Sequence, residues 1–436
     1  MEEIEDLKQT TIQSPLLEEP PERPPNELEN TSIEEQSKCQ DSIFAVIFLI
    51  HFLSILFIVF EYGVPAITQN KDKDDIHYRN YLDYIKLSIF SCGLSFLVTC
   101  IFKMILTRLA LRVTTSSDSA VDDRSLVLKY ALGFTMITSM ILVVSFYILD
   151  EIWLSILSLL FFVFSVCYGY ILQSQMTFAS TNLALSIRAI RSNGGLTIVA
   201  HIILCLGIFY IGYWIIAMIG LYEDSKEHCE RNYDEGVICQ DSKPRNVDIV
   251  LLFLNFYWAQ QVIKNIIHVV TTGTIHNWWF GRVRGGFCCS RDVSDSLFQS
   301  MTYSFGSICL GSLLVTIIYI LRLFLEYIQD DMNELLCCTC QCLNQTFQTL
   351  YKKFNKWGYV YVGMYGYPFT TSSEKALDVL ERRGWGVIMN DDLITNVIGL
   401  VICMVGLTNG MVVFILLDHY SWFDDEAGNW RYVIFT

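Results

Sequence analysis

The sequence predicts an all-α, polytopic integral membrane protein, a bundle of about ten transmembrane helices behind an acidic tail. Three observations carry that reading. Hydrophobic residues fill 53% of the 436 positions, charged residues only 17%, and the mean hydropathy is +0.39. One soluble core could not bury so much apolar surface, so the chain needs lipid as its solvent. The stretches 152–187, 192–222, 297–321 and 393–417 contain no Asp, Glu, Lys or Arg, and roughly 20 such residues cross a hydrocarbon core about 30 Å thick. Neither strand-type alternation nor a tandem repeat interrupts the apolar runs.

Residues 1–41 hold 12 acids against Lys8, Arg23 and Lys38, and five of the eight prolines. Such a segment buries too little to fold, so a disordered tail is expected, with a transporter domain over 42–436. The first apolar run begins at Ile43, too far in for a cleaved signal peptide, and reads as a retained helix. Helices are then expected at 42–66, 84–106, 125–149, 152–172, 195–222, 247–273, 297–328 and 393–417, with a shorter apolar piece at 357–371. Basic residues stay on the cytoplasmic side. With the tail inside, the inner loops carry 14 Lys and Arg against eight outside, which places the N-terminus in the cytoplasm. Helix parity then requires the segment 334–371 to cross back.

The cysteines divide by environment. Cys229 and Cys239 lie in the longest hydrophilic loop, which this topology puts outside, where either a disulfide or two free thiols can persist; a disulfide is expected. Cys337, Cys338, Cys340 and Cys342 have no His partner to complete a zinc site, so no metal is expected. No cofactor is expected either, and no nucleic-acid partner. Motifs for zinc hydrolysis, serine hydrolysis, nucleotide phosphates or dinucleotides are missing, which argues against an enzyme or a nucleotide-driven pump.

The sixth helix holds the most specific signal. It reads Tyr257-Trp258-Ala259-Gln260-Gln261-Val262-Ile263-Lys264-Asn265-Ile266-Ile267-His268, then Gly273 and Trp278-Trp279-Phe280. Phe305-Gly306-Ser307 and Gly311-Ser312-Leu313 follow on the next helix with Arg322, and beyond it Asn355, Tyr359, Gly366, Phe369 and Ser372. These runs resemble the choline transporter-like family over about 190–417. The resemblance implies a transporter of choline or a related quaternary or primary amine, working by alternating access, with the plasma membrane as its expected location. A channel-like pore and a non-transporting scaffold are the alternatives. Gly358 and Ser373 each stand where the family has Ala, Thr370 where it has Cys, and Leu400 where it has Lys. The family's final membrane helix is expected to be missing after Thr436.

The polar residues of the sixth helix can also be read by themselves. An ionisable side chain in lipid is costly and normally faces the bundle interior. Tyr257, Gln261, Lys264 with Asn265, and His268 recur at helical spacing, so one inward stripe is expected, either lining a path or bonding helices together. His268 is the candidate for proton coupling, because imidazole titrates near neutral pH. The implied choline has no N–H donor, so aromatic faces suit it best. Trp214, Tyr257, Trp258 and Tyr303 are the expected cage residues, with Asn255 and Gln261 for the hydroxyl end; packing is the competing role. His51 is expected to snorkel at a helix end, and His201, a single imidazole on an apolar helix, to be satisfied structurally rather than functional.

Overall fold

The computed structural model describes residues 39–69, 89–108, 126–174, 176–234, 246–280, 291–327, 355–383 and 386–420. Every regular element among them is helical, and seven helices are long and apolar enough to cross a membrane. The protein is an all-α polytopic membrane protein. Its outward faces agree with that. Only 11% of the apolar window in the span Ser42–Ala66 is buried, and Ile43, Ile50, Phe57 and Phe60 lie exposed along it. An apolar belt of that size is stable facing lipid, not water.

The chain forms two compact units. The first contains α1 (Ser42–Ile58, continuing through the π-turn Val59–Gly63 into Val64–Gln69), α6 (Gly194–Asp234) and α7 (Asn246–Trp279), followed by α8 (Arg291–Met301), α9 (Phe305–Tyr327), α10 (355–365) and α11 (Phe369–Arg383). The π-turn of α1 sits where the helix meets α6 backbone to backbone. A Cβ on Gly220 would lie 2.5 Å from the Gly63 nitrogen, and one on Gly63 would lie 2.8 Å from the Ile216 carbonyl. Such an inserted residue re-aims a helix at a close crossing. Helix α7 spans 34 residues, about 51 Å at the usual rise. It is missing from the seven apolar spans, because its polar residues dilute its hydropathy.

One expected helix and one expected apolar piece are broken. The expected 297–328 helix divides into α8 and α9 at Thr302–Ser304: the Thr302 hydroxyl bonds back to the Phe298 carbonyl at 2.6 Å, and the Ser304 N–H reaches the Gln299 carbonyl at 2.9 Å. Ser304 then opens α9 by accepting the Ile308 N–H at 3.0 Å, in the position that serine favours. The 357–371 piece divides into α10 and α11. Gly366, at φ 70°, closes α10 as its left-handed terminator, and Pro368 just precedes α11, where no N–H is needed.

The second unit contains α2 (Ile89–Arg108), α3 (Leu126–Ile148), α4 (Ile152–Ile171), α5 (Met176–Ser192) and α12 (Gly386–Tyr420). Its core is apolar: Val127, Leu128 and Leu132 of α3 pack with Ala179 and Leu183 of α5 and with Leu393 and Val397 of α12. The uncharged stretch 152–187 is not one crossing. A 3-10 turn at Leu172–Ser174 ends the span, and α5 is a separate amphipathic helix.

Candidate substrate site

The aromatic residues of the first unit converge where α1, α6, α7 and α9 meet. Trp258 of α7 is only 3% exposed, and its indole N–H donates to the Cys309 carbonyl of α9 at 3.2 Å. Two rings of α1 close over it. The His51 ring centre lies 4.6 Å away and that of Phe48 5.3 Å away, edge on, while Phe48 also meets Phe305 at 5.8 Å. His51 Nε2 lies 3.2 Å from the Asn255 carbonyl; an oxygen there can only accept, so the ring proton is on Nε2. The Asn255 side-chain oxygen accepts the Tyr210 hydroxyl of α6 at 2.7 Å. His51 therefore faces inward, not the interface. Nine residues past the helix start at Ser42, it sits in mid-span, too far from an end to snorkel.

The other expected site residues lie around this cluster in separate settings. Trp214 donates its N–H to the Leu252 carbonyl at 3.0 Å and packs against Phe256 at 4.6 Å. Tyr257 stacks on Tyr319 of α9 at 4.4 Å and is hydrogen-bonded to Gln261, one turn on. Tyr303 lies in the break before α9, beside Phe298 at 6.0 Å. Trp214, Tyr257 and Trp258 share no ring partner, since neighbouring helical positions point about 100° apart.

Below the aromatic cluster the polar stripe divides. Asn265 is buried and donates to the Ser312 hydroxyl at 2.9 Å and the Tyr359 hydroxyl at 3.0 Å. Tyr359, 1% exposed, donates in turn to the Ile308 carbonyl at 3.2 Å. His268 follows one turn later, its ring 6.2 Å from that of Tyr359. Lys264 is exposed, so of these two neighbours only Asn265 faces the interior. Gly311 makes the knot possible, because a Cβ there would lie 2.6 Å from the Tyr359 hydroxyl. Asp292 of α8 is buried, with neither carboxylate oxygen hydrogen-bonded to another of the described residues. Burial, and then Asp295, push its carboxyl above the usual carboxylate range.

No group of three or more His, Cys, Asp or Glu able to hold a metal occurs among the described residues. Cys239 and Cys337 to Cys342 lie outside those residues, as does the side chain of Cys229.

The fold and this interior define a membrane protein whose spans enclose aromatic faces and amide groups. Comparison with known proteins gives the family: the profile described as plasma-membrane choline transporter matches residues 156–436, and the chain belongs to that family. Protein PNS1 of Yarrowia lipolytica is 25% identical over 256 residues, covering 57% of this chain and 45% of that protein. Protein PNS1 of Saccharomyces cerevisiae is 29% identical over 195 residues, 43% of this chain and 36% of its own. A CTL-like protein of Dictyostelium discoideum is 25% identical over 223 residues, 47% and 40% respectively. The chain thus spans less than half the length of each of these three relatives.

Proposed function

We propose that the protein carries choline, or a closely related amine, across the plasma membrane by alternating access, with its N-terminus in the cytoplasm and about ten membrane crossings. The observation that carries this reading is the cluster of Phe48, His51 and Phe305 around the buried Trp258. A quaternary ammonium sheds water at little cost and is held by ring faces, each contributing about 0.5–2 kcal/mol. The Asn255 and Gln261 amides, three residues to either side of Trp258 along α7, are proposed to serve the substrate hydroxyl. In the present arrangement the rings touch one another. A cation entering between them therefore has to part the α1 wall, Phe48 and His51, from the α7 and α9 wall, Trp258 and Phe305. That separation is the elementary motion of the proposed cycle. His268 is the proposed proton-coupling residue, on the turn of α7 that follows Asn265.

The test is uptake of labelled choline by vesicles that contain the purified protein. A carrier shows saturation and speeds up when unlabelled choline is loaded on the far side. Uptake that stays linear with concentration indicates a pore, and uptake equal to that of empty vesicles removes transport altogether.

A further inference from the structure

The aromatic cluster does not open directly onto the tail side of the first unit. Asp41, the residue that joins the tail to α1, lies between them. It adopts φ 50° and makes no side-chain cap to its own helix, although Asp at such a position ordinarily caps the helix it precedes. Its carboxylate is turned instead toward two neighbours. Oδ2 accepts the Ser307 hydroxyl at 2.7 Å and the Phe369 backbone N–H at 3.0 Å. Both donors lie in the first turns of α9 and α11, where helix dipoles favour a negative charge.

The backbone around Asp41 fits the same notch. The Gln40 N–H donates to the Tyr303 carbonyl at 2.9 Å, in the break before α9. Gly306 leaves the space: a Cβ there would run into the Gln40 and Asp41 carbonyls. Phe48 follows Asp41 by seven residues, about 10 Å along α1, and meets Phe305, the first residue of α9. The order along this side is therefore the carboxylate, then the Phe48 and Phe305 rings, then Trp258.

The geometry points to a tail-side gate in which the Asp41 carboxylate bolts α1 to α9 and α11, and Phe48 with Phe305 forms the seal over Trp258. Two alternatives exist for the charge. Bonded to Ser307 and Phe369 it holds three helix starts together. Released, it relaxes from the left-handed region and caps the first turn of α1, so opening exchanges one hydrogen-bond set for another. The consequence for flux rests on the transport reading; the bolt itself does not.

Cys309 reports the state of the gate, because it is fully buried one turn beyond Phe305 and its carbonyl holds Trp258. Full-length protein is treated with N-ethylmaleimide, and modification of Cys309 is followed by peptide mapping, with the exposed Cys92 of the second unit as a control. Asp41→Ala is expected to speed modification of Cys309 about tenfold, a population shift of about 1.4 kcal/mol, and Ser307→Ala about threefold, with Cys92 unchanged. Asp41→Asn, which keeps an acceptor oxygen, should fall between Asp41→Ala and the native protein. Should Asp41→Ala fail to fold, Ser307→Ala decides, since it removes a single hydroxyl. Native Cys309 rates in cooperatively unfolding variants overturn the gate. In vesicles, Asp41→Ala should raise KM for choline offered from the side opposite the tail more than it changes kcat. A native protein without uptake refutes transport, while the Cys309 rates still judge the bolt.

Discussion

The two units solve the same problem, holding helices together in lipid, by different means. In the second unit the buried hydroxyls mostly turn back on their own helices: Thr135 bonds the Leu132 carbonyl, Ser158 that of Leu154 and Ser165 that of Phe161. Contact between its helices is chiefly apolar, with Ser155 reaching the Val143 carbonyl and Asn409 of α12 donating to Ser91 and Ser95 of α2 as the exceptions. The first unit bonds across helices repeatedly, through Trp258 to Cys309, Tyr210 to Asn255, Asn265 to Ser312 and Tyr359, and Asp41 to Ser307. Lipid supplies little hydrophobic drive between helices, so small residues and directional bonds decide their register. Bonds of this kind define discrete arrangements of the helices that make them.

The largest separation between the units is expected from deleting one hydroxyl in each. Tyr359→Phe leaves Asn265, Ser312 and the Ile308 carbonyl short of a partner in a buried place, and should cost about 1–3 kcal/mol. Ser158→Ala removes a hydroxyl that serves its own helix and should cost less than about 0.5 kcal/mol. Thermal unfolding in detergent compares them directly. Equal losses would erase the distinction between the units.

A smaller effect comes from two of the sequence departures. A Cβ on Gly358 of α10 would lie 2.6 Å from the Ser373 hydroxyl of α11, so the residue sizes at 358 and 373 are sterically coupled. Gly358→Ala alone should destabilise by about 1 kcal/mol through overpacking, and Gly358→Ala combined with Ser373→Ala should recover most of it. Additive losses in the double-mutant cycle would show that the two positions are independent.

Much of this was legible in the sequence, for reasons that also mark where it stopped. Hydropathy locates the spans because lipid imposes one rule on every residue of a crossing, and the 42–66 and 152–172 expectations fall within a few residues of α1 and α4. The breaks at Thr302–Ser304 and Gly366–Pro368 interrupt apolar runs without adding charge, so hydropathy passes over them. Ser304 and the Gly366, Pro368 pair were the available signals, as helix-start and helix-stop residues. His201 bonds the Thr197 carbonyl of its own helix at 2.6 Å, as expected of a lone imidazole. His51 was missed because nothing in its neighbourhood along the chain announces Trp258, 207 positions later in the sequence. Which of Lys264 and Asn265 faces inward likewise depends on the Ser312 and Tyr359 hydroxyls, and no spacing within α7 encodes them.

The central claim is that the cation is bound in the first unit on the Trp258 face. Equilibrium binding of labelled choline to the purified protein tests it most directly, with three variants beside the native chain. Trp258→Leu keeps bulk but removes the ring and should weaken binding about tenfold, a loss near 1.4 kcal/mol. Trp258→Phe keeps a ring without the N–H and should lose less. Tyr168→Leu, which removes a ring stacked on Phe164 in the second unit, should bind as the native protein does. Native affinity in a well-folded Trp258→Leu protein, or an equal loss in Tyr168→Leu, would contradict the account.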